Sequence, residues 1–224
     1  MEESSRRTSP KDNHLGDILI EVLEVAINLI LYVRNIYPSG IFVQQKIYNT
    51  LVMMSRHPDV NGYIKKVLES IRRYVKNGSI EKVVVEISKD GVALERFVFE
   101  MKLPQNINNN DNNSNSNNNT SSCFYDIETH LRAVLLKMNT CDAKLRPLPE
   151  NCTFNIQAHT KSSSLTKMES GPGFADFPWV VVENDDNEGA GNDKLKNSAV
   201  IPIRSCNTDV LILQCYVEES SVKE

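Results

Sequence analysis

From Leu15 onward, apolar side chains recur at three- and four-residue steps: Ile18, Val22, Val25, Ala26, Leu29, Ile30 and Val33. That spacing marks one face of a helix. Leu19, Leu23, Ile27 and Leu31 widen the face until little of the circumference stays polar, which predicts a helix near the centre of the core. Tyr37-Pro38-Ser39-Gly40 predicts its end, because proline and glycine stop helices. Ile41 to Met54 is mixed and predicts irregular chain, with a short extended piece over Ile41 to Val43. A second helix is expected from Pro58-Asp59. Proline there suits the missing N–H of a first turn, and aspartate suits the positive end of the helix dipole. Val60, Ile64, Val67, Leu68, Ile71 and Val75 form its buried stripe, and Asn77-Gly78 caps it.

The period then changes. Ile80 to Ser88 carries the β-branched run Val83-Val84-Val85, Lys89-Asp90-Gly91 reads as a hairpin turn, and Val92 to Lys102 returns. Residues 104–122 are dominated by asparagine and serine and can bury little apolar area, so a disordered insertion is expected. A third helix is expected over Tyr125 to Asn139, with Ile127, Leu131, Val134, Leu135 and Met138 on one face. The last third is β-like but broken: Cys152 to Thr160, Phe177 to Glu183, Val200 to Arg204 and Asp209 to Glu218, with polar loops at 161–175 and 184–198. Extended pieces on loops this long are unusual in a compact domain and suggest a segment that moves as a unit. The pattern predicts one α+β domain over 14–219, after a disordered N-terminal segment 1–13 and before a short tail 220–224.

Composition narrows the function. Apolar residues make up 40% and charged residues 24%, which is enough for one core but leaves part of the length polar. A formal net charge of -4 argues against a dedicated DNA binder, so direct nucleic-acid contact is not expected. The start, MEESSRRTSPKDN, has no apolar signal segment, and Glu21, Glu24 and Asn28 interrupt the longest apolar stretch. No membrane span is expected. The five cysteines are odd in number and lack CxxC spacing, which points to free thiols in a reducing compartment, several of them buried as small hydrophobes.

No catalytic pattern holds. His14, His57, His130 and His159 have no metal spacing, and no cofactor or metal site is expected. The acidic stretch from Asn184 resembles a calcium loop through Asn184, Asp186, Glu188 and Gly189, but Leu195 stands where the bidentate glutamate belongs. Glu21 and Glu24, three apart, read as the one wet edge of an apolar helix, and Arg72-Arg73 as a solvated face. Tyr37, Tyr63 and Trp179 are amphipathic groups of the kind that line peptide grooves, although composition alone would favour ordinary core or rim residues.

The block LEVAINLILYVRNIYPSGIF, from Leu23 to Phe42, resembles the HORMA-domain family. HPDVNGYI, EKVVVEI with RFVFEM, LRAVLLKMNTCDA, CTFNIQAHT, DFPWVV and the closing QCYVEE continue the resemblance in order. It is strongest to the branch that serves DNA polymerase zeta as its accessory, non-catalytic subunit. The resemblance implies three helices packed on a mainly antiparallel sheet, with a mobile C-terminal safety belt over about 153–219. It implies a non-enzymatic adaptor that traps proline-containing peptides under that belt. Tyr37, Tyr63, Trp179 and Val181 match the family's peptide groove. Val200, Gln214 and Tyr216 match its contact with the C-terminal domain of the translesion scaffold polymerase, with valine where the family usually has leucine. Arg132 and Ala143 match the contact that pairs two HORMA domains, and Gln44 replaces a family lysine. The implied partners are the catalytic subunit of polymerase zeta, the scaffold polymerase and a second HORMA domain. The implied roles are translesion synthesis, DNA repair and mitotic control, with a nuclear location extending to cytoplasm and spindle. A sister branch would instead imply a spindle-checkpoint protein that binds an activator of the anaphase-promoting complex.

Overall fold

The computed structural model describes residues 10–103, 117–160, 177–180, 195 and 197–223, and the side chains of these except 10–13 and 117–126. Helix α1, Pro10–Val33, starts inside the segment expected to be disordered, and proline is well tolerated at a first helical position. Leu19, Leu23, Ala26, Ile27 and Ile30 are all buried, and Glu21 stays exposed. The helix ends before the expected Tyr37-Pro38. Asn35 takes a left-handed φ of 52°, its N–H donates to Tyr32 O, and the Ile36 N–H donates to Leu31 O. This is a Schellman cap with asparagine in the place glycine usually holds. Helix α2, Pro58–Lys76, ends the same way on Gly78, where φ is 68°. Its six predicted stripe residues are all buried.

Between the helices, the stretch expected to be irregular is a hairpin, β1 Phe42–Ile47 and β2 Thr50–Ser55. Its two-residue turn, Tyr48-Asn49, has positive φ at both positions. This is the hairpin turn usually signalled by glycine. Asn28 fastens the hairpin to α1: its Oδ1 accepts the Ser55 N–H at 3.0 Å.

The main sheet is antiparallel with order β5-β3-β4-β7-β6. The strands are β3 Ile80–Lys89, β4 Val92–Lys102, β5 Thr153–Thr160, β6 Ser198–Asn207 and β7 Ile212–Ser220. The β3–β4 hairpin turns on Asp90-Gly91, both with positive φ. Helix α3, Asn117–Met138, begins inside the expected Asn-rich loop, where Asn and Thr suit a helix start. Residues 104–116 lie outside the description. All five apolar residues predicted for its face are buried. One side of the sheet, with Val83, Val85, Phe97, Phe99, Cys215 and Val217, packs on the three helices. Phe177–Val180, expected to be extended, is a turn in which the Trp179 N–H donates to Phe177 O at 2.8 Å.

The C-terminal end is anchored rather than loose. Glu95 on β4 is fully buried and accepts both Nε and Nη2 of Arg34, at 2.9 and 2.6 Å. Lys223, also buried, bonds Glu95 and Glu219, the latter at 2.8 Å. Arg34 and Lys223 both donate to Arg146 O. Two cations and two carboxylates thus balance inside the protein and tie β7 to the end of α1. Burial alone would raise the Glu219 carboxyl, but bonds from Lys223 and the Arg146 N–H hold it below its ordinary value.

Candidate functional site

Among the described residues, strand β5 pairs with β3 alone, so its other side is a sheet edge with no further described strand. Aromatic rings line that edge. The Tyr37 ring, just past the α1 cap, meets Phe154 of β5 edge-on at 6.2 Å between centroids. Phe154 meets Tyr63 of α2 at 5.6 Å, Tyr63 meets Phe177 at 6.1 Å, and Phe177 meets Trp179 at 5.0 Å. The Trp179 indole N–H donates to the Ser70 hydroxyl at 3.1 Å, and Ser70 in turn donates to Val67 O. All five rings are only partly buried, so each packs one face inward and leaves another accessible. Burial pushes the Tyr63 phenol up, against a backbone hydrogen bond at Ile156, so it stays neutral and can donate.

The structure therefore brings Tyr37, Tyr63 and Trp179 into one row, and Val181 lies outside the described residues. Phe154, Phe177 and Ser70 belong to the same row, and sequence reasoning missed them as site residues. A usable signal existed for Phe177, which stands two positions from Trp179.

A second constellation lies on the sheet face away from the helices. Register aligns Gln157, Val84, Val98, Tyr216 and Pro202 in one row across all five strands. Val200, opposite Glu218, shares this face with Gln214 and Tyr216, and Val200 and Gln214 are exposed. The Tyr216 hydroxyl donates to Glu100 at 2.7 Å, which fixes its ring. These three residues do come together. Arg132 is exposed on α3, Ala143 on the turn Cys141–Lys144 that follows it, and Gln44 on β1.

Nothing in the described chemistry suggests turnover. Burial pushes the thiols of Cys141 and Cys215 up to about 11 and about 12, and those of Cys152 and Cys206 upward too, so all four stay protonated at neutral pH. Among the described residues no group of three or more His, Cys, Asp or Glu could hold a metal ion. No described helix is long and apolar enough to cross a membrane. Arg72 is not a phosphate clamp: it pairs with Asp17 at 2.6 Å and Glu69 at 2.8 Å.

The sequence pattern described as "HORMA domain" matches residues 17–176. The chain belongs to the HORMA-domain family. Over 210 residues it is 39% identical to a zebrafish (Danio rerio) protein named mitotic spindle assembly checkpoint protein MAD2B, spanning 93% of this chain and 92% of that one. The human (Homo sapiens) protein of the same name is 37% identical over the same shares. An Arabidopsis thaliana protein named DNA polymerase zeta processivity subunit is 27% identical over 98% of this chain and 93% of its own. Among solved structures, a chain of a mitotic checkpoint complex superposes with TM-score 0.69 at 20% identity, over 96% of this HORMA chain and 100% of that one. C. elegans HTP-2, solved bound to a closure motif of HTP-3, gives 0.64 at 13%, over 94% and 88%. The expected HORMA fold, three helices on an antiparallel sheet, is the one observed. These relatives carry the names of processivity and checkpoint proteins, and this HORMA protein is likewise non-enzymatic.

Proposed function

We propose that this HORMA domain grips an extended, proline-containing segment of a partner along the outer edge of β5. It thereby acts as the accessory subunit of DNA polymerase zeta, bridging the catalytic subunit to the translesion scaffold polymerase in DNA-damage bypass and repair in the nucleus. The observation that carries this reading is the aromatic row beside a strand edge that no other described strand covers. A peptide adding as a strand satisfies the edge's backbone groups, and proline rings stack on the aromatics with little entropy to lose. Relatives named as polymerase zeta subunits support the choice of partner.

Val200, Gln214 and Tyr216 form the second docking face, remote in the sheet order from β5, so the two partners bind together. The test is a three-component binding experiment with full-length protein, a proline-motif fragment of the catalytic subunit, and the scaffold's C-terminal domain. Gln214→Ala with Tyr216→Ala is expected to lose the scaffold domain at least tenfold and keep the fragment. Loss of both partners, or of neither, would refute the two-face arrangement. The relatives named as checkpoint proteins support a second reading, capture of an activator of the anaphase-promoting complex in the same groove. Competition between the activator's peptide and the polymerase fragment distinguishes them: the second reading requires the activator to win at equal concentration.

A further inference from the structure

Resting on that reading of the groove, we propose that Lys66 and Arg73 select partner segments that carry acidic residues at the Trp179 end of the bound stretch. Helix α2 carries cations on two sides, and they are treated differently. On the side toward α1, Arg72 and Lys76 are neutralised by Asp17, and Arg72 also engages Glu69. Burial opposes the Arg72 charge, but those two carboxylates raise its pKa, and Asp17 is held low chiefly by Lys76.

On the groove side, Tyr63, Lys66, Ser70 and Arg73 follow one another at helical three- and four-residue steps and so share a face. Ser70 holds the Trp179 indole. Lys66 and Arg73 therefore flank the indole one turn to either side, both exposed and neither in an ion pair among the described residues. The nearest carboxylate on α2, Glu69, is committed to Arg72. Glu81, at the start of β3, makes no ion pair with either among the described residues.

The location along the groove follows from register. Thr160, at the far end of β5, pairs with Ile80, which follows the C-terminus of α2. Phe154, at the near end, meets Tyr37 and Tyr63. The aromatic row thus begins at Tyr37 and ends at Trp179 between two cations that pair with no described carboxylate. A segment lying along β5 with its proline on the rings meets Lys66 and Arg73 toward the Thr160 end. An acidic residue there gains two exposed charge contacts, each worth a few-fold in affinity at low salt and less as screening rises. The aromatics then decide whether a segment binds, and the cations decide which proline-containing segments bind best.

The test uses the full-length protein and three labelled proline-containing peptides that differ only in flanking residues: Glu-Glu before the proline, Glu-Glu after it, or Lys-Lys on both sides. Binding is followed by anisotropy at low and physiological salt. One Glu-Glu peptide is expected to bind about tenfold tighter than the Lys-Lys peptide at low salt, with the preference shrinking as salt rises. Lys66→Glu with Arg73→Glu, both on the surface, is expected to reverse the order without changing the thermal midpoint. Equal binding of all three peptides, or a preference that survives the double reversal, overturns the proposal and leaves the groove intact. Failure of the unaltered protein to bind any of the three overturns the groove reading itself.

Discussion

Trp179→Ala is expected to weaken capture of a proline-containing segment by about 30- to 1000-fold, the equivalent of about 2–4 kcal/mol. The indole sits at the end of the aromatic row, tilted against Phe177 at 5.0 Å and held by its N–H to Ser70. A half-buried aromatic held rigidly in a groove loses little entropy when a partner arrives. Truncation removes both the contact surface and the anchor that holds the Phe177 turn against α2. Most of the loss should fall on the dissociation rate, because the free edge of β5 still allows first encounter. Tyr63→Ala should act in the same direction but also cost stability, since its ring packs against both Phe154 and Phe177. Ser70→Ala is the control: it removes the indole's hydrogen bond to Ser70 but keeps the ring, and should cost only a few-fold. Surface plasmon resonance with an immobilised peptide separates the three. If Trp179→Ala leaves the dissociation rate unchanged, the ring does not touch the partner.

Glu95→Ala is expected to destabilise the fold by about 3–5 kcal/mol, the cost of leaving buried charge without its counterion. The side chain is fully buried between Arg34 and Lys223. Removing it strands Arg34 and leaves Lys223 with Glu219 as its one carboxylate. Lys223→Met should cost less, because Glu95 keeps two bonds from Arg34 and Glu219 keeps the Arg146 N–H. Urea denaturation of both variants at pH 7 tests the ordering, and an equal or reversed cost would show that Glu95 is not the hub. The same cluster sets an acid limit. Glu219 is held below its ordinary 4.5, so its ionised form favours the folded state. That contribution is complete above about pH 4.5 and is lost as pH falls through the lowered value. Lys223→Met should flatten this acid dependence.

The helices and the β3–β4 hairpin were legible because their signals are local. Six residues at helical spacing predict α2, and Asp90-Gly91 between β-branched runs predicts the hairpin. The β1–β2 hairpin was not legible. Gln44, Gln45 and Lys46 are exposed, so β1 shows little alternation, and Tyr48-Asn49 makes its positive-φ turn without the glycine that would signal it. It is held instead by contacts from outside it: Asn28, 27 positions before Ser55, bonds its end, and Phe42 and Val52 are buried in the core. The α1 end was misread because Asn35 does the work expected of Pro38 and Gly40. The aromatics of the groove were visible as types, but only the resemblance put them together. Phe154 and Ser70 lie on different elements from Trp179 and share no spacing with it. The buried ion cluster had no sequence signal at all: Arg34 and Glu95 are 61 positions apart, and Glu95 and Lys223 are 128 apart.

Those separations also bear on how the chain reaches its native state. Strand β7 is inserted between β4 and β6, so an interior position of the sheet is filled by the last strand in sequence. Contacts between such distant positions carry a large loop-closure cost and form late. The β3–β4 hairpin and helix α2 can assemble from neighbours, whereas β7 docks only once most of the protein exists. Pulse-labelled hydrogen exchange during refolding should protect Val84 and Val98 before Cys215 and Val217. Simultaneous protection would mean that the sheet condenses in a single step. Gradual docking of β7 makes the order of assembly a property of topology, and it leaves the β4 edge open to wrong pairing for as long as that strand is missing.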